Sequence, residues 1–456
     1  MTDLRSGLLS IVGPRGLLEG DDVAGRSCDP FRMVPPGGEI IVRPATTLEM
    51  SEVLKLCHAL RQKVVTHGGR TGVAGGAYCA ADEIIVSLER MAAVTEICPV
   101  TQVAEVEAGV PLATVQERAA EYDLIYPIDL GSKGSATIGG TIATNAGGNR
   151  VIRWGMTRSN VLGVEAVLAD GTIVSAMNRL VKNNTGYDLK HLLIGSEGTI
   201  GIVTRAILRL VPAPTSQCVA FIAVADHDAL LALLNRARRL MTLSAFEVMW
   251  PDYYDLVIRY DPTRRPVAAG QGAYVLVEAM GYEEAIDRAL FDAFLEGAYA
   301  DGLIVDAVLA ASHQQVLDLW RVREAADIIV QAMSPFVSFD VSIDVRLVES
   351  FAREAKDALR SRFPALQTAT FGHLGDNNIH IAACVGPDTL RHEQEIEAIV
   401  FGVLRRYGGA ITAEHGIGQA KRAFLCEHRT PGEMVMMKRF RSGLDPLGLL
   451  NHDVMF

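Results

Sequence analysis

The chain has no C-x-x-C pair: its seven cysteines, at positions 28, 57, 79, 98, 218, 384 and 426, are odd in number and widely scattered. This spacing excludes a disulfide framework and a zinc knuckle, and the thiols are read as reduced and mostly buried, because free cysteine packs as a small hydrophobe. No apolar stretch is long enough to span a bilayer, and the short apolar patch at 7–13 lacks the h-region and cleavage site of a secretory signal. Positive charge is in deficit. A net charge of −11 argues against a broad surface for nucleic acid or anionic membrane. Polar, Pro-rich and like-charge tracts long enough to form a disordered arm are missing, as is any internal repeat. What remains is an ordinary globular composition, 49% apolar and 21% charged over 456 residues. Length alone suggests two or three domains, with two expected, in a soluble cytoplasmic protein.

Glycine is abundant. The 42 glycines cluster in the first half, at 68–76, 131–148 and 195–201, as though backbone were packed closely around a ligand. Ahead of the first cluster, 39–43 reads as a strand and 51–62 as a helix with Val53, Leu54, Leu56, Cys57 and Leu60 on one face and Ser51 as its N-cap. Residues 64–66 read as a second strand running into His67-Gly-Gly-Arg-Thr-Gly-Val-Ala-Gly-Gly76. The Walker lysine is absent and no G-x-G-x-x-G opens a helix, so the P-loop and the nicotinamide-binding fold both fit poorly. Successive backbone N–H groups of such a loop still form an anion-binding nest. Around Pro212-Ala-Pro214 the glycine clusters stop and helix-like stretches begin, such as 229–240 and 283–295. The domain boundary is placed there, giving 1–213 and 214–456, with roughly the last 15 residues packing back on the first domain.

Three ordered segments carry a resemblance: the loop from His67 to Gly76, then Ala136-Thr-Ile-Gly-Gly140 with Ala143-Thr-Asn-Ala-Gly-Gly148, then 183–186 with Gly195-Ser-Glu-Gly-Thr-Ile-Gly201. Any one of these glycines taken alone is an ordinary turn; their concentration is what points to a ligand. Together the segments resemble flavoproteins of the p-cresol methylhydroxylase/vanillyl-alcohol oxidase type, in the branch of D-2-hydroxyglutarate, D-lactate and glycolate dehydrogenases. The resemblance spans about 42–451 and implies an α+β protein: an FAD-binding domain of that type, then an α+β substrate domain with an antiparallel sheet. It implies that the first loop wraps the FAD pyrophosphate, the second segment runs beside the isoalloxazine and ribityl chain, and the third holds the adenine end. The cofactor positions it implies are His67, Gly68, Gly69, Arg70, Thr71, Gly72, Gly75, Gly76, Pro127, Asp129, Ser135, Thr137, Gly139, Gly140, Thr144, Asn145, Gly147, Gly148, Glu197, Gly198, Ile202 and Asn451. Relatives with covalent FAD often carry histidine where this chain has Arg70, so noncovalent FAD is expected.

In the second half, Gly372-His-Leu-Gly-Asp-Asn-Asn-Ile-His380 and Ala413-Glu-His-Gly-Ile-Gly418 resemble the metal and catalytic motifs of the same branch. If 368–374 and 379–384 are strands joined by a tight Asp376-Asn377 turn, His373 and His380 fall opposite one another. Their Cβ atoms are then roughly 4.5–5.5 Å apart, close enough for both imidazoles to share one ion. A Glu414 carboxylate completes a His-His-Glu set suited to Zn2+ or another divalent metal with an open position. A lone histidine is more often a satisfied polar residue; the grouping is what suggests a metal. Glu414 and His415 would face opposite ways on a straight strand, and Gly416 and Gly418 permit a bend that brings both to one site.

Oxidising an α-hydroxy acid requires a base for the hydroxyl proton and an acceptor, flavin N5, for the C2 hydrogen. A metal on the hydroxyl lowers its pKa. Imidazole, ordinarily titrating near pH 6.5, makes His415 the expected base and a substrate contact. Arg323, in Leu319-Trp-Arg-Val-Arg-Glu324, matches the family arginine that meets the substrate carboxylate, and Asn378 is a further substrate position; an Arg323–Glu324 surface pair is the alternative for Arg323. Glutarate-specific relatives carry K-x-D-x-S-x-P where this chain has Ser338-Phe-Asp-Val-Ser-Ile-Asp344. Losing that lysine, together with Asp344 and an Asp327 one turn beyond Arg323, opens D-lactate or a larger apolar 2-hydroxy acid beside D-2-hydroxyglutarate. Asn377 for a usual glycine and His452 for a usual proline leave the reading unchanged. An electron-transfer flavoprotein, a quinone or a cytochrome would reoxidise the flavin, and the resemblance makes a homodimer common. Two rival functions stay open: a non-redox transferase of the alkyl-dihydroxyacetonephosphate synthase type, and a metallohydrolase with merely structural glycines. A flavin-binding partner protein without catalysis gives no reason for the grouped ligands.

Overall fold

The computed structural model describes residues 2–456 and divides the chain into two compact units. The first runs to Gly148, continues over Gly155–Ala213 and returns with Glu414–Phe456; the second takes Asn149–Trp154 and Pro214–Ala413. The main break thus lies where the glycine clusters end, but 214–456 is not one unit, and the returning segment is far longer than expected. The reason is local bonding: Val64 bridges Leu450, and the Glu197 carboxylate accepts from the N–H groups of Ile417 and Gly418. Asn149–Trp154 joins the second unit because Arg150 Nε donates to the buried Glu278 carboxylate at 3.1 Å and Arg153 donates to the Thr242 carbonyl at 2.7 Å.

The strands of the first unit are β1 (Leu17–Glu19), β2 (Ile40–Val42), β3 (Lys63–His67), β4 (Glu83–Ser87), β5 (Val94–Cys98), β6 (Val103–Glu107), β7 (Leu124–Ile125), β8 (Val161–Val167), β9 (Ile173–Ala176), β10 (Ile202–Arg209) and β11 (Val211–Pro212). They form a four-stranded sheet ordered β1-β2-β4-β3, a five-stranded antiparallel sheet ordered β5-β6-β10-β8-β9, and a β7–β11 pair. β2, β4 and β3 are mutually parallel. Every residue of β4 is buried, as expected of a strand covered on both faces. The helix after β2 covers Thr47–Leu60, four residues earlier than the sequence suggested. Its cap is Thr46, whose side chain accepts from Glu49 N, and Ser51 is interior, donating its hydroxyl to the Gly171 carbonyl at 2.5 Å. A serine mid-helix is tolerated because that hydroxyl has a distant acceptor.

The second unit is built on one antiparallel sheet of β12 (Ser216–Val224), β13 (Leu243–Met249), β14 (Ala273–Gly281), β15 (Asp306–Leu309), β16 (Val337–Ser342), β17 (Gln367–His373) and β18 (Asn378–Cys384), ordered β15-β12-β14-β13-β17-β18-β16. Helices His227–Ala237 and Glu284–Ala300 correspond to the two expected stretches. β13 is buried along its whole length, so Glu247 within it is a carboxylate in an apolar strand. All seven cysteines are free; five are buried, Cys98 is half-buried and Cys426 is exposed. Among the described residues no helix is long and apolar enough to cross a membrane.

Candidate active site

In the first unit, β3 ends at His67, whose Nε2 meets the Ala77 carbonyl at 2.8 Å and ties together the two ends of the glycine loop. Burial pushes this imidazole down to about 4, against the opposing pull of the Ala77 carbonyl, so it is a neutral brace at ordinary pH. The loop then lies against residues 135–140. A Cβ on Gly69 would overlap the Ser135 carbonyl oxygen, so only glycine lets the two backbones come this close. Thr137 caps the helix Ile138–Thr144, its side chain accepting from Gly140 N at 3.3 Å.

These segments wall a cleft. Gly68, Gly69, Arg70, Thr71, Gly72 and Gly76 line it from the first segment; Thr137, Gly139, Gly140, Thr144 and Gly147 from the second; Glu197, Gly198 and Ile202 from the third; and Asn451 from the tail. Asn451 accepts from Thr66 N at 2.9 Å and donates to the Glu197 carbonyl at 2.6 Å, fixing the tail beside the loop. His67, Gly75, Pro127, Asp129, Ser135, Asn145 and Gly148 lie outside this lining. Several of them support it: Asn145 Oδ1 accepts from Arg158 N at 2.9 Å, and Gly148 N donates to Glu414 at 2.8 Å. Residues 183–186 are exposed and away from the lining, so only 195–201 of the third segment meets the cleft. Ser132, Ala143, Ala146 and Ser196 line it without having been singled out; their signal was only that they are small residues inside the same segments. The cleft fits FAD: along Gly72 and Gly76 an added Cβ would meet nothing within 4 Å, so bare backbone borders open space where its N–H groups could face a pyrophosphate.

Glu414 and His415 line the same cleft. The bend expected after them is present, with Gly416 at φ 81° and Gly418 at φ 53°. Beyond it the Glu197 carboxylate accepts from Ile417 N at 2.8 Å and Gly418 N at 2.7 Å. Burial raises the Glu197 carboxyl, and those two N–H groups oppose the rise.

In the second unit, β17 and β18 form the expected hairpin with a different register. His380 pairs with Phe371, while His373 pairs with Glu247 of β13. The connection is not a tight two-residue turn: a 3-10 turn over Leu374–Asp376 is followed by Asn377 at φ 74°, a left-handed position that asparagine tolerates. His373 and His380 are therefore diagonal neighbours on one face, a distance aromatic rings can still bridge. Their ring centroids are 5.3 Å apart and ligand nitrogens lie within 4.8 Å. Behind each ring stands a fully buried carboxylate: Glu247 Oε1 at 2.8 Å from His373 Nδ1, and Asp340 Oδ1 at 3.7 Å from His380 Nδ1. Carboxylates in these places fix the orientation of the two rings, and the donor set is one that could hold a borderline divalent ion. Glu247 escaped the sequence reading, its signal being an acid inside an otherwise apolar strand, and Asp340 entered only as the aspartate of the Ser338–Asp344 stretch.

Arg323 ends the helix His313–Arg323 and is buried. Its partner is not Glu324, which accepts from Asn149 at 2.9 Å, but Glu247 Oε2, at 2.7 Å from the arginine Nε. The guanidinium sits over the Phe371 ring at 4.8 Å, and its two terminal nitrogens make no hydrogen bond among the described residues. Burial alone would raise the Glu247 carboxyl; its contacts with His373 and Arg323 hold it below the ordinary carboxylate range. Asn378 is buried with neither amide atom bonded to a described residue. Buried polar groups of this kind are ones that a polar ligand or an ordered water would satisfy. Asp327 does not extend the Arg323 helix: it belongs to a separate one, Ala326–Met333, where Arg264 pairs with it at 3.2 Å. Asp344 is likewise neutralised by Arg346, which holds its carboxyl at about 2. Both carboxylates are thus paired with arginine, whereas Ser338 is exposed on β16.

Comparison with known proteins shows which family the chain resembles along its length. Residues 213–454 match the family described as FAD linked oxidases, C-terminal domain, and residues 38–177 match the FAD binding domain family. The chain is similar to a D-2-hydroxyglutarate dehydrogenase of Xanthomonas citri pv. viticola, 36% identical over 92% of this chain and 90% of that protein. It is also 36% identical to a mitochondrial protein of the same name from Arabidopsis thaliana, over 91% of this chain and 74% of the relative. Among solved structures, p-cresol methylhydroxylase with bound substrate superposes with a TM-score of 0.78 at 14% identity, covering 99% of this chain and 95% of that one. An alkyldihydroxyacetonephosphate synthase superposes with a TM-score of 0.76 at 15% identity, covering 99% and 84%. At those identities the likeness concerns the fold alone.

Proposed function

The chain belongs to the FAD-linked oxidases, in the branch of D-2-hydroxyglutarate, D-lactate and glycolate dehydrogenases, and from that premise we propose that it oxidises a D-2-hydroxy acid to the 2-oxo acid with metal assistance. The observation that carries this reading is that His415 lines the same cleft as the three glycine segments, so a base stands where the flavin would bind. When bound, FAD would supply the acceptor for the C2 hydrogen with its electron pair, and a divalent ion, which His373, His380 and Glu414 would hold, would supply charge favouring a deprotonated hydroxyl. The protein's own residues do the rest. His415 takes the hydroxyl proton on its imidazole. Arg323 offers its two terminal nitrogens to the substrate carboxylate, a planar fork matched to a planar anion, while Glu247 holds its Nε. Asn378 offers one donor and one acceptor to the same ligand.

The glycine loop holds FAD noncovalently, since Arg70 stands where a covalent attachment would need histidine. The substrate is D-2-hydroxyglutarate or a D-lactate-like acid; Ser338 offers no cation to a distal carboxylate, which favours the latter. The electrons pass on to an electron-transfer flavoprotein, a quinone or a cytochrome.

The test is an anaerobic titration of the purified yellow protein with D and L forms of 2-hydroxyglutarate, lactate, malate and longer 2-hydroxy acids. Bleaching of the flavin by one D acid, lost on chelation and restored by zinc, is the expected result. A yellow protein that no hydroxy acid bleaches but that turns over a phosphate ester would replace the dehydrogenase with a transferase. A colourless protein that cannot take up FAD would overturn the whole reading.

A further inference from the structure

We infer that Glu197 is a positioning residue, holding the turn that carries His415 at the glycine-rich cleft; this rests on the proposed role of His415 as base. Both oxygens of its carboxylate are spent on the first two N–H groups after Gly416, at 2.8 Å from Ile417 and 2.7 Å from Gly418. Two charge-assisted bonds to consecutive amides fix the direction of a short turn better than either alone. Glu197 is itself fixed. Its N–H donates to the Ala143 carbonyl at 2.8 Å, its carbonyl accepts from Asn451 at 2.6 Å, and its backbone is left-handed at φ 52°. A non-glycine residue in that conformation persists only where the surroundings over-determine it.

The turn is equally constrained from its own side. A Cβ on Gly416, at φ 81°, would lie 2.8 Å from Glu197 Oε1, and one on Gly418 would overlap the Ala74 carbonyl oxygen. The turn is therefore pressed between the first glycine loop and the Glu197 carboxylate. Asn451 also accepts from Thr66 N at 2.9 Å, so the first glycine loop, the tail and the His415 turn share one hydrogen-bonded frame. Because Glu197 already satisfies both its oxygens on protein amides, its part is to aim His415 rather than to bind cofactor through its carboxylate.

The experiment uses the FAD-loaded full chain and the variant Glu197→Gln, which keeps the shape but replaces one acceptor by an N–H₂ group facing an N–H. Three readouts are taken: FAD per chain, hydrogen exchange of a peptide spanning 413–421, and anaerobic flavin reduction by the D-hydroxy acid that bleaches the wild type. The expected result is full FAD content, faster exchange at the amides of 417 and 418, and reduction slowed about 10- to 100-fold at saturating acid with little change in its apparent Kd. Unchanged exchange, faster exchange with an unchanged reduction rate, or loss of FAD would each overturn the inference. Should Glu197→Gln fail to fold, Gly416→Ala pushes on the same clamp from the other side and must give the same pair of changes. A wild-type flavin that no hydroxy acid bleaches would instead remove the proposed function, a result distinct from an unaffected variant beside a reducible wild type.

Discussion

The Glu247 carboxylate lies 2.8 Å from Nδ1 of His373, reaching across from β13 to β17 inside the second unit. Its other oxygen holds Arg323, so one buried acid aims both an imidazole and a guanidinium. Glu247→Ala leaves that arginine buried and unpaired, and is expected to cost about 3–5 kcal/mol of stability. Urea unfolding measures it. A loss below about 1 kcal/mol would mean that the charges are not paired in the folded protein.

His415→Ala should leave FAD bound and slow flavin reduction about 10²- to 10⁴-fold, the ordinary worth of a positioned base. Stopped-flow reduction by the active D acid reads it. Reduction at the wild-type rate would remove the assignment of the base.

Gly69→Ala places a methyl group against the Ser135 carbonyl oxygen. The loop must move off residues 135–140, at a cost of about 1–3 kcal/mol or more. The absorbance ratio of flavin to protein should fall well below that of the wild type; full flavin content would show that the two segments need not touch.

Stability should fall as pH drops from about 6.5 to about 4 through His67. Its folded pKa, about 4, lies below the ordinary histidine value of about 6.5. The unfolded chain therefore takes up a proton first, and stability present above pH 6.5 is lost through that window, by about 3 kcal/mol in all. His67→Gln keeps a donor for Ala77 and should flatten the profile in thermal melts across that range. A variant with the same slope as the wild type would place the titration elsewhere.

Chelation should abolish reduction by hydroxy acid without removing FAD, and zinc should restore it. His380→Ala should behave as the chelated protein does and resist restoration. A fully active chelated enzyme would remove the metal from the mechanism, leaving His373 and His380 as a structural pair.

The glycine segments were legible because a missing side chain is a local property: Gly69 reads the same in the sequence as against the Ser135 carbonyl. Register was not. The pairing of His380 with Phe371 depends on four residues, Leu374 to Asn377, folding as a 3-10 turn with a left-handed end, and a two-residue turn was equally consistent with the letters. Glu247 was illegible for another reason. It lies 76 residues from Arg323 and 126 from His373, and only the sheet brings β13 beside β17. Thr46 was preferred to Ser51 as a cap because the Thr46 side chain meets the free Glu49 N–H, while Ser51 has an acceptor on a distant loop. The pairing of Asp327 was illegible for the same reason as Glu247, since its partner Arg264 lies 63 residues away on another element.

The bridge between Val64 and Leu450, with Asn451 capping Thr66, joins an early strand of the first unit to a segment made after the whole of the second unit. At roughly 5–20 residues per second, the glycine loop leaves the ribosome on the order of tens of seconds before its tail partner exists. The first unit thus begins before the second and is completed after it, and during that wait its cleft is missing the Asn451 wall and His415. A chain truncated before Glu414 would carry the glycine loop without the segment that braces it.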